Sequence, residues 1–263
     1  MIKRELKVNF KSFLIWMLVL IIMFGFVYII YPFIISDETM KSIDEFVKVL
    51  PPEVTKAFNM DMSSIATAYG WLKSEGFMFL LLITGFYSAY LGSTILLKEE
   101  KDKTIEYLYS LPIKRSKIVL NKIIVALLYI IAMVLIIGIF NYIALLLLGK
   151  FDQKQYLLLS MTPLFSAIPL FSINLFISTL LKRNKKTIGF SIGLVFIFYI
   201  LNVLSEISER SEGLKYLSMY TLSDIRNVIT NVKINPVLIL VSFVISIVFI
   251  IASFIKYQRK ELV

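Results

Sequence analysis

The chain has 263 residues, 58% of them hydrophobic, with a mean hydropathy of +0.82 and a formal net charge of +10. So much apolar surface exceeds what one soluble core of this length can hide, so the composition excludes a soluble domain and describes an integral membrane protein. There is no Cys and no His, which removes disulfides, thiol chemistry, thiolate or imidazole metal sites and any His-based triad.

In chain order, Met1–Ser12 comes first. Ile2, Leu6, Phe10 and Phe13 recur at helical spacing while Lys3, Arg4, Lys7 and Lys11 take the other face. This pattern predicts an interfacial amphipathic helix over residues 1–12, with its apolar side in the acyl boundary and its lysines near anionic headgroups. It also has the character of a basic signal-peptide n-region. The apolar run that follows is 23 residues long and has no small-residue cleavage site after it, which argues against removal.

Six runs are long enough to cross about 30 Å of hydrocarbon as helices. They are roughly Phe13–Ile35, Phe77–Leu97, Ile123–Leu148, Tyr156–Leu181, Thr187–Leu204 and Val237–Ile255, and none contains Asp, Glu, Lys or Arg. Gly149–Gln155 alone separates the third from the fourth, which predicts a tight helical hairpin. The expected fold is all-α and integral to the membrane, one transmembrane domain over residues 1–263. With six spans both termini share a side. That side holds 18 Lys/Arg and 6 acidic residues against 10 and 12 on the other. The positive-inside rule therefore places both termini in the cytoplasm, and the basic excess is a topology signal rather than a nucleic-acid one.

Two outside segments exceed simple turns. Residues 36–76 carry Ile43, Phe46, Val47 and Leu50 at helical spacing, then Pro51-Pro52, then Val54, Ala57 and Phe58. Residues 205–236 carry Leu214, Leu217, Tyr220 and Leu222, then Ile225, Val228 and Ile229. Both predict short amphipathic helices capping the outer end of the bundle, one before the second span and one before the sixth.

The cytoplasmic interval Lys98–Arg115 has a helix signature of its own. Asp102 or Thr104 can cap its start, Ile105, Leu108 and Tyr109 form one apolar face, and Pro112 ends it. The spans themselves offer few chemical groups. Asn141, Asn174 and Asn202 are polar, and each is either a bond to a neighbouring helix or a point on a substrate path. Pro163 and Pro169 can kink the fourth span, and Gly189 and Gly193 form a small-xxx-small face. No ionisable group lies at mid-membrane, which argues against ion-coupled transport. The single Gly149-Lys150 pair lacks the rest of a phosphate-cradling loop. Glu99-Glu100 lie outside the spans with no His to complete a metal site. No catalytic, cofactor-binding or metal-ligating residues are therefore expected.

Glu99, Thr104, Glu106, Leu108, Pro112 and Arg115, with Ile118 and Lys122 continuing, resemble the first-cytoplasmic-loop signature of the ABC-2 type transporter permeases. That signature reads approximately E-x-x-x-G-T-x-E-x-L-x-x-x-P-x-x-R. Lys103 stands where the family usually has Gly. Residues 50–58 and the order of elements also resemble bacterial members, so the likeness covers essentially the whole chain. It implies a non-enzymatic permease in a bacterial plasma membrane, paired with a separate ATPase subunit that holds ATP and Mg and with a second copy of itself or a related permease. The loop between the second and third spans would then be a coupling helix docked in the ATPase. Glu99, Glu100, Thr104, Ile105, Glu106, Leu108, Tyr109, Pro112 and Arg115 would form that contact.

Similar small permeases export amphipathic peptides, bacteriocins and lipid-like antibiotics, so the expected cargo is an amphipathic peptide or similar toxic amphiphile. Sodium or small-drug extrusion is the alternative within the class. A non-transporting scaffold, sensor or resistance component is the alternative outside it, and a membrane enzyme comes third.

Overall fold

The computed structural model describes residues 1–34, 37–50, 67–101, 114–181, 184–207 and 209–259. Among them, regular structure is helical throughout: α1 (Ile2–Ile34), α2 (Asp37–Val49), α3 (Ala68–Trp71), a π turn (Leu72–Gly76), α4 (Phe77–Thr94), α5 (Lys98–Lys101), α6 (Arg115–Leu148), α7 (Gln153–Leu180), α8 (Asn184–Ile207), two 3-10 segments (Glu209–Leu217 and Met219–Ser223), α9 (Ile225–Asn231) and α10 (Pro236–Gln258). Six stretches are long and apolar enough to cross a membrane: Ile2–Phe33, Ala68–Thr94, Arg115–Leu148, Gln153–Leu180, Lys186–Ile207 and Pro236–Gln258.

α7 is the centre of the bundle. It packs most extensively on α4 and α10, and also on α6 and on the segment that precedes α10. Its contact with α4 is close because Gly92 has no side chain: a Cβ there would stand 2.5 Å from the Phe171 carbonyl oxygen and 2.9 Å from the Leu175 nitrogen. α7 runs unbroken through Pro163 and Pro169. A proline has no N–H for the carbonyl four residues back, and in lipid that carbonyl needs another donor. Thr162 Oγ1 donates to Leu159 O at 2.8 Å, and Ser242 Oγ of α10 donates to Phe165 O at 2.7 Å. The second bond turns a backbone defect into a link between helices.

α10 shows the inversion that lipid permits. Ser242, Ser246, Ser253 and Tyr257 are buried, while Val237, Leu240, Phe243, Val244, Ile247, Val248 and Ile251 are exposed. Apolar side chains gain nothing from leaving hydrocarbon, so small polar groups make the helix contact. The outward faces of α1 and α8 are likewise apolar. A Cβ on Gly189 or Gly193 would meet nothing within 4 Å. The small-xxx-small face therefore points away from this chain's own bundle.

One local expectation is corrected. Residues 1–12 are not a separate interfacial element but the first third of α1, which is continuous from Ile2 to Ile34. Its buried side there is not the apolar face: Glu5 and Asn9 turn inward with Phe13, while Ile2 and Phe10 are exposed. The physical reason is a buried cation on α6, described below. The second outside segment holds short helices as expected, two of them wound as 3-10 segments over 209–223, with Leu217 exposed and Tyr220 and Leu222 buried. In the first outside segment α2 forms over 37–49 but leaves Phe46 and Val49 exposed. Val54, Ala57 and Phe58 lie outside the described residues.

The α6–α7 connection is four residues long. Gly149 ends α6 at φ 156°, backbone that a Cβ would strain, and Asp152 caps α7 by accepting from Gln155 N at 3.0 Å.

Candidate functional site

Of the expected coupling residues, Thr104, Ile105, Glu106, Leu108, Tyr109 and Pro112 lie outside the described residues, and the two-turn helix they predict lies there with them. The flanks are described. Glu99 and Glu100 sit on α5, which leads into the stretch, and Arg115 opens α6, which leaves it.

Glu99 does not face outward. The residue is 6% exposed and its Oε1 lies 2.6 Å from Lys122 Nζ, on a side chain that is fully buried. The same ammonium donates to Glu5 Oε2 at 3.2 Å and to Ile95 O at 2.9 Å. An ammonium has three protons, and these three acceptors use them all. The clamp joins the N-terminal end of α1, the end of the α4 span with α5, and the first turns of α6. Neighbouring bonds reinforce it. Lys98 Nζ donates to Val8 O at 3.0 Å, Tyr129 OH donates to Leu6 O at 2.6 Å, and Asn9 Nδ2 donates back to Glu5 O at 2.9 Å. The helices on both sides of the 102–113 stretch are thus anchored to one ionic centre, with two carboxylates against one ammonium.

The three asparagines are not brought together. Asn141 Oδ1 on α6 accepts from Tyr28 OH of α1 at 3.1 Å, a helix-to-helix bond. Asn174 Nδ2 donates to Leu170 O of its own helix at 2.7 Å, and its Oδ1 is buried without a partner. Asn202 on α8 accepts from Thr221 Oγ1 at 3.4 Å and lines a cavity of about 440 Å³ at the end of the bundle opposite the clamp.

That cavity lies between the π turn, the start of α4, the end of α8 and the segment from 212 to 230. Around it, Arg226 pairs with Glu206 at 3.1 Å and Lys215 with Glu212 at 2.5 Å. The exposed Glu212 carboxyl is held below its ordinary range by the hydrogen bond from Lys215. Tyr220 is buried in the wall, edge-on to Tyr199 at 5.8 Å, with its hydroxyl against Gly85. Ser223 Oγ donates to Ser166 Oγ at 2.8 Å, which pins this segment to α7.

Sequence reasoning passed over Glu5, Asn9 and the cavity residues Lys73, Glu206 and Arg226. The signal for the clamp was present. Lys122 is the last charge of α6, one turn inside the apolar run that begins at Ile118, and Glu5 is a lone acid within a basic segment. Each charge at a buried register calls for a partner. The cavity carries no such local signal, since its walls come from four separated parts of the chain.

A family model described as ABC-2 family transporter protein matches residues 1–262. No curated protein matches the chain.

Proposed function

Because the chain belongs to the ABC-2 family of transporter proteins, we propose that it is the permease half of an ATP-driven exporter whose cargo is an amphipathic peptide or a similar toxic amphiphile. Membership makes it a transmembrane subunit of an ABC transporter, which implies a separate ATPase partner, and its six apolar helices make it multi-pass. The cytoplasmic side, on this reading, is the clamp end, with both termini there.

The observation that carries a coupling role is the clamp itself. A force applied to the 102–113 stretch reaches α4 and α5 through Glu99, α6 through Lys122 and Arg115, and α1 through Glu5. Motion of a docked ATPase would therefore move several long helices as a unit, which is how rigid-body transitions are transmitted. The helical spacing of Ile105, Leu108 and Tyr109 in the sequence, with the charges Glu100, Glu106, Lys114 and Arg115 near them, suits a partner groove with an apolar floor and polar rim. The aromatic-rich spans suit an amphipathic cargo drawn from the inner leaflet. Two permeases and two ATPases complete the assembly.

The test begins with a tagged pull-down of the chain from its own membranes in mild detergent. A near-stoichiometric partner carrying G-x-x-x-x-G-K-[ST] supports the reading. ATP-dependent accumulation of a labelled amphipathic peptide in inverted vesicles then tests cargo and direction. No ATPase in any of several detergents would leave the scaffold reading ahead, and movement of sodium or small drugs alone would replace the cargo.

A further inference from the structure

The cavity at the end opposite the clamp has a composition that the transport reading does not use. Three cationic side chains line it, Lys73, Lys215 and Arg226, against three anionic ones, Glu206, Glu212 and Asp224. The lining is therefore charge-balanced. One part of the lining is apolar, formed by Phe77, Met78 and Leu81 in the first turns of α4. Its volume of about 440 Å³ lies within the usual range for small-molecule sites of roughly 300–1,000 Å³.

Two ionisable groups of the adjoining π turn have no ion-pair partner among the described residues. Lys73 Nζ lies 4.9 Å from the centre of the Tyr69 ring, and among the described residues no carboxylate comes within ion-pair distance of it. Glu75 Oε1, two residues on, is buried with no hydrogen-bond partner. Both belong to the π turn Leu72–Gly76, and such turns recur at functional sites. An anion drawn to Lys73 would also meet Glu206, Glu212 and Asp224 in the lining, and a cation drawn to those carboxylates would also meet Lys73, Lys215 and Arg226. A ligand with its own separated charges matches the lining, and one with an apolar tail also covers the α4 wall.

We propose that this cavity binds a zwitterionic amphiphile. Its anionic group lies toward Lys73, its cationic group toward Glu206 and Glu212, and the first carbons of its tail rest on Phe77, Met78 and Leu81. The headgroup comes either from a bilayer lipid or from a free amphiphile of the same chemistry. The site needs no ATPase and stands apart from the cargo assignment.

Trp16 and Trp71 are the only tryptophans, so Trp16→Phe leaves one reporter. It sits beside the cavity, because Ser74 of the lining donates to Trp71 O at 3.1 Å. The full chain is placed in phosphatidylglycerol nanodiscs and titrated below micellar concentration with three dihexanoyl lipids. Their heads are phosphocholine, phosphoglycerol and trimethylammonium. The expected result is a saturable Trp71 response with the phosphocholine probe binding about tenfold tighter than either singly charged one. Lys73→Gln should move the preference toward the cationic probe and Glu206→Gln toward the anionic one, a reversal that general destabilisation does not produce. Glu212→Gln, at an exposed position, replaces Glu206→Gln if that variant does not fold.

Repeating the titration in phosphatidylcholine nanodiscs separates the sources. Loss of the response there identifies bilayer lipid as the occupant, and persistence identifies a free amphiphile. No saturable response in phosphatidylglycerol, or an unchanged order of the three probes in both charge variants, overturns the proposal.

Discussion

Lys122→Met is the most informative perturbation of the clamp. Methionine keeps the unbranched stem, one atom shorter, and removes the charge. The Glu5 and Glu99 oxygens, held at 3.2 and 2.6 Å from one nitrogen, lie within about 6 Å of each other. At that separation two like charges repel by roughly 3 kcal/mol at an effective dielectric of about 20. The Ile95 carbonyl also loses its bond from the ammonium. Breaking a buried pair by removing one partner costs about 3–5 kcal/mol in general, and this site falls in that range. For a chain of this size the loss corresponds to a drop in melting temperature on the order of 10 °C. The assay is thermal melting of the detergent-purified chain, followed by fluorescence-detected size exclusion. Glu5→Gln and Glu99→Gln added to Lys122→Met remove both stranded charges and should recover most of the loss. A single variant that melts with the parent, or a triple variant no better than the single, would refute the clamp as a buried ionic centre.

Other outcomes follow from the same structure. Gly92→Ala places a methyl against the Phe171 carbonyl and the Leu175 nitrogen, so it should destabilise by about 1–3 kcal/mol, while Gly189→Ala, in open space, should change melting by less than about 0.5 kcal/mol. Ser242→Ala strands the Phe165 carbonyl that Pro169 cannot serve; it should cost on the order of 1 kcal/mol in the same melt, with α10 loosening first in hydrogen exchange. Tyr28→Phe leaves Asn141 Oδ1 without its donor, and Asn141→Leu on that background should restore the melting temperature. In vesicles containing the ATPase, Leu108→Asp with Glu106→Lys should abolish transport and leave ATP hydrolysis and membrane insertion in place; unchanged transport would remove the coupling role.

Much of the architecture was legible because lipid imposes a one-dimensional rule. A helix across hydrocarbon needs about 20 apolar residues, and each of the six runs shows as a block. The helix ends were less legible. Lys122 marked the start of the third span because a charge in a span is costly, yet α6 begins seven residues before it, and α1 runs on through Glu5. The cost falls away once the two charges meet, and which charges meet is not written in either segment. Asn141 illustrates the same limit, since its partner Tyr28 is 113 residues away. The 3-10 segments of 209–223 carry apolar residues at spacings compatible with an α-helix, and docking of Tyr220 and Ser223 on α4 and α7 accompanies the tighter winding.

By itself the sequence determined that the chain is membrane-embedded and all-helical, and its family signature is local, within one loop. These properties depend on composition, run length and short-range spacing, which neighbours along the chain carry without help. Only the tertiary structure decided that Glu99 and Lys122 close on Glu5, and that a π turn, α4, α8 and a 3-10 segment enclose a charge-balanced cavity. It also decided that the serines of α10 face inward while its large apolar residues face out. In water, burial of apolar surface would have predicted the reverse face. In lipid both faces are equally solvated by hydrocarbon, so the polar contacts between helices decide the orientation, and those exist only once the helices are packed.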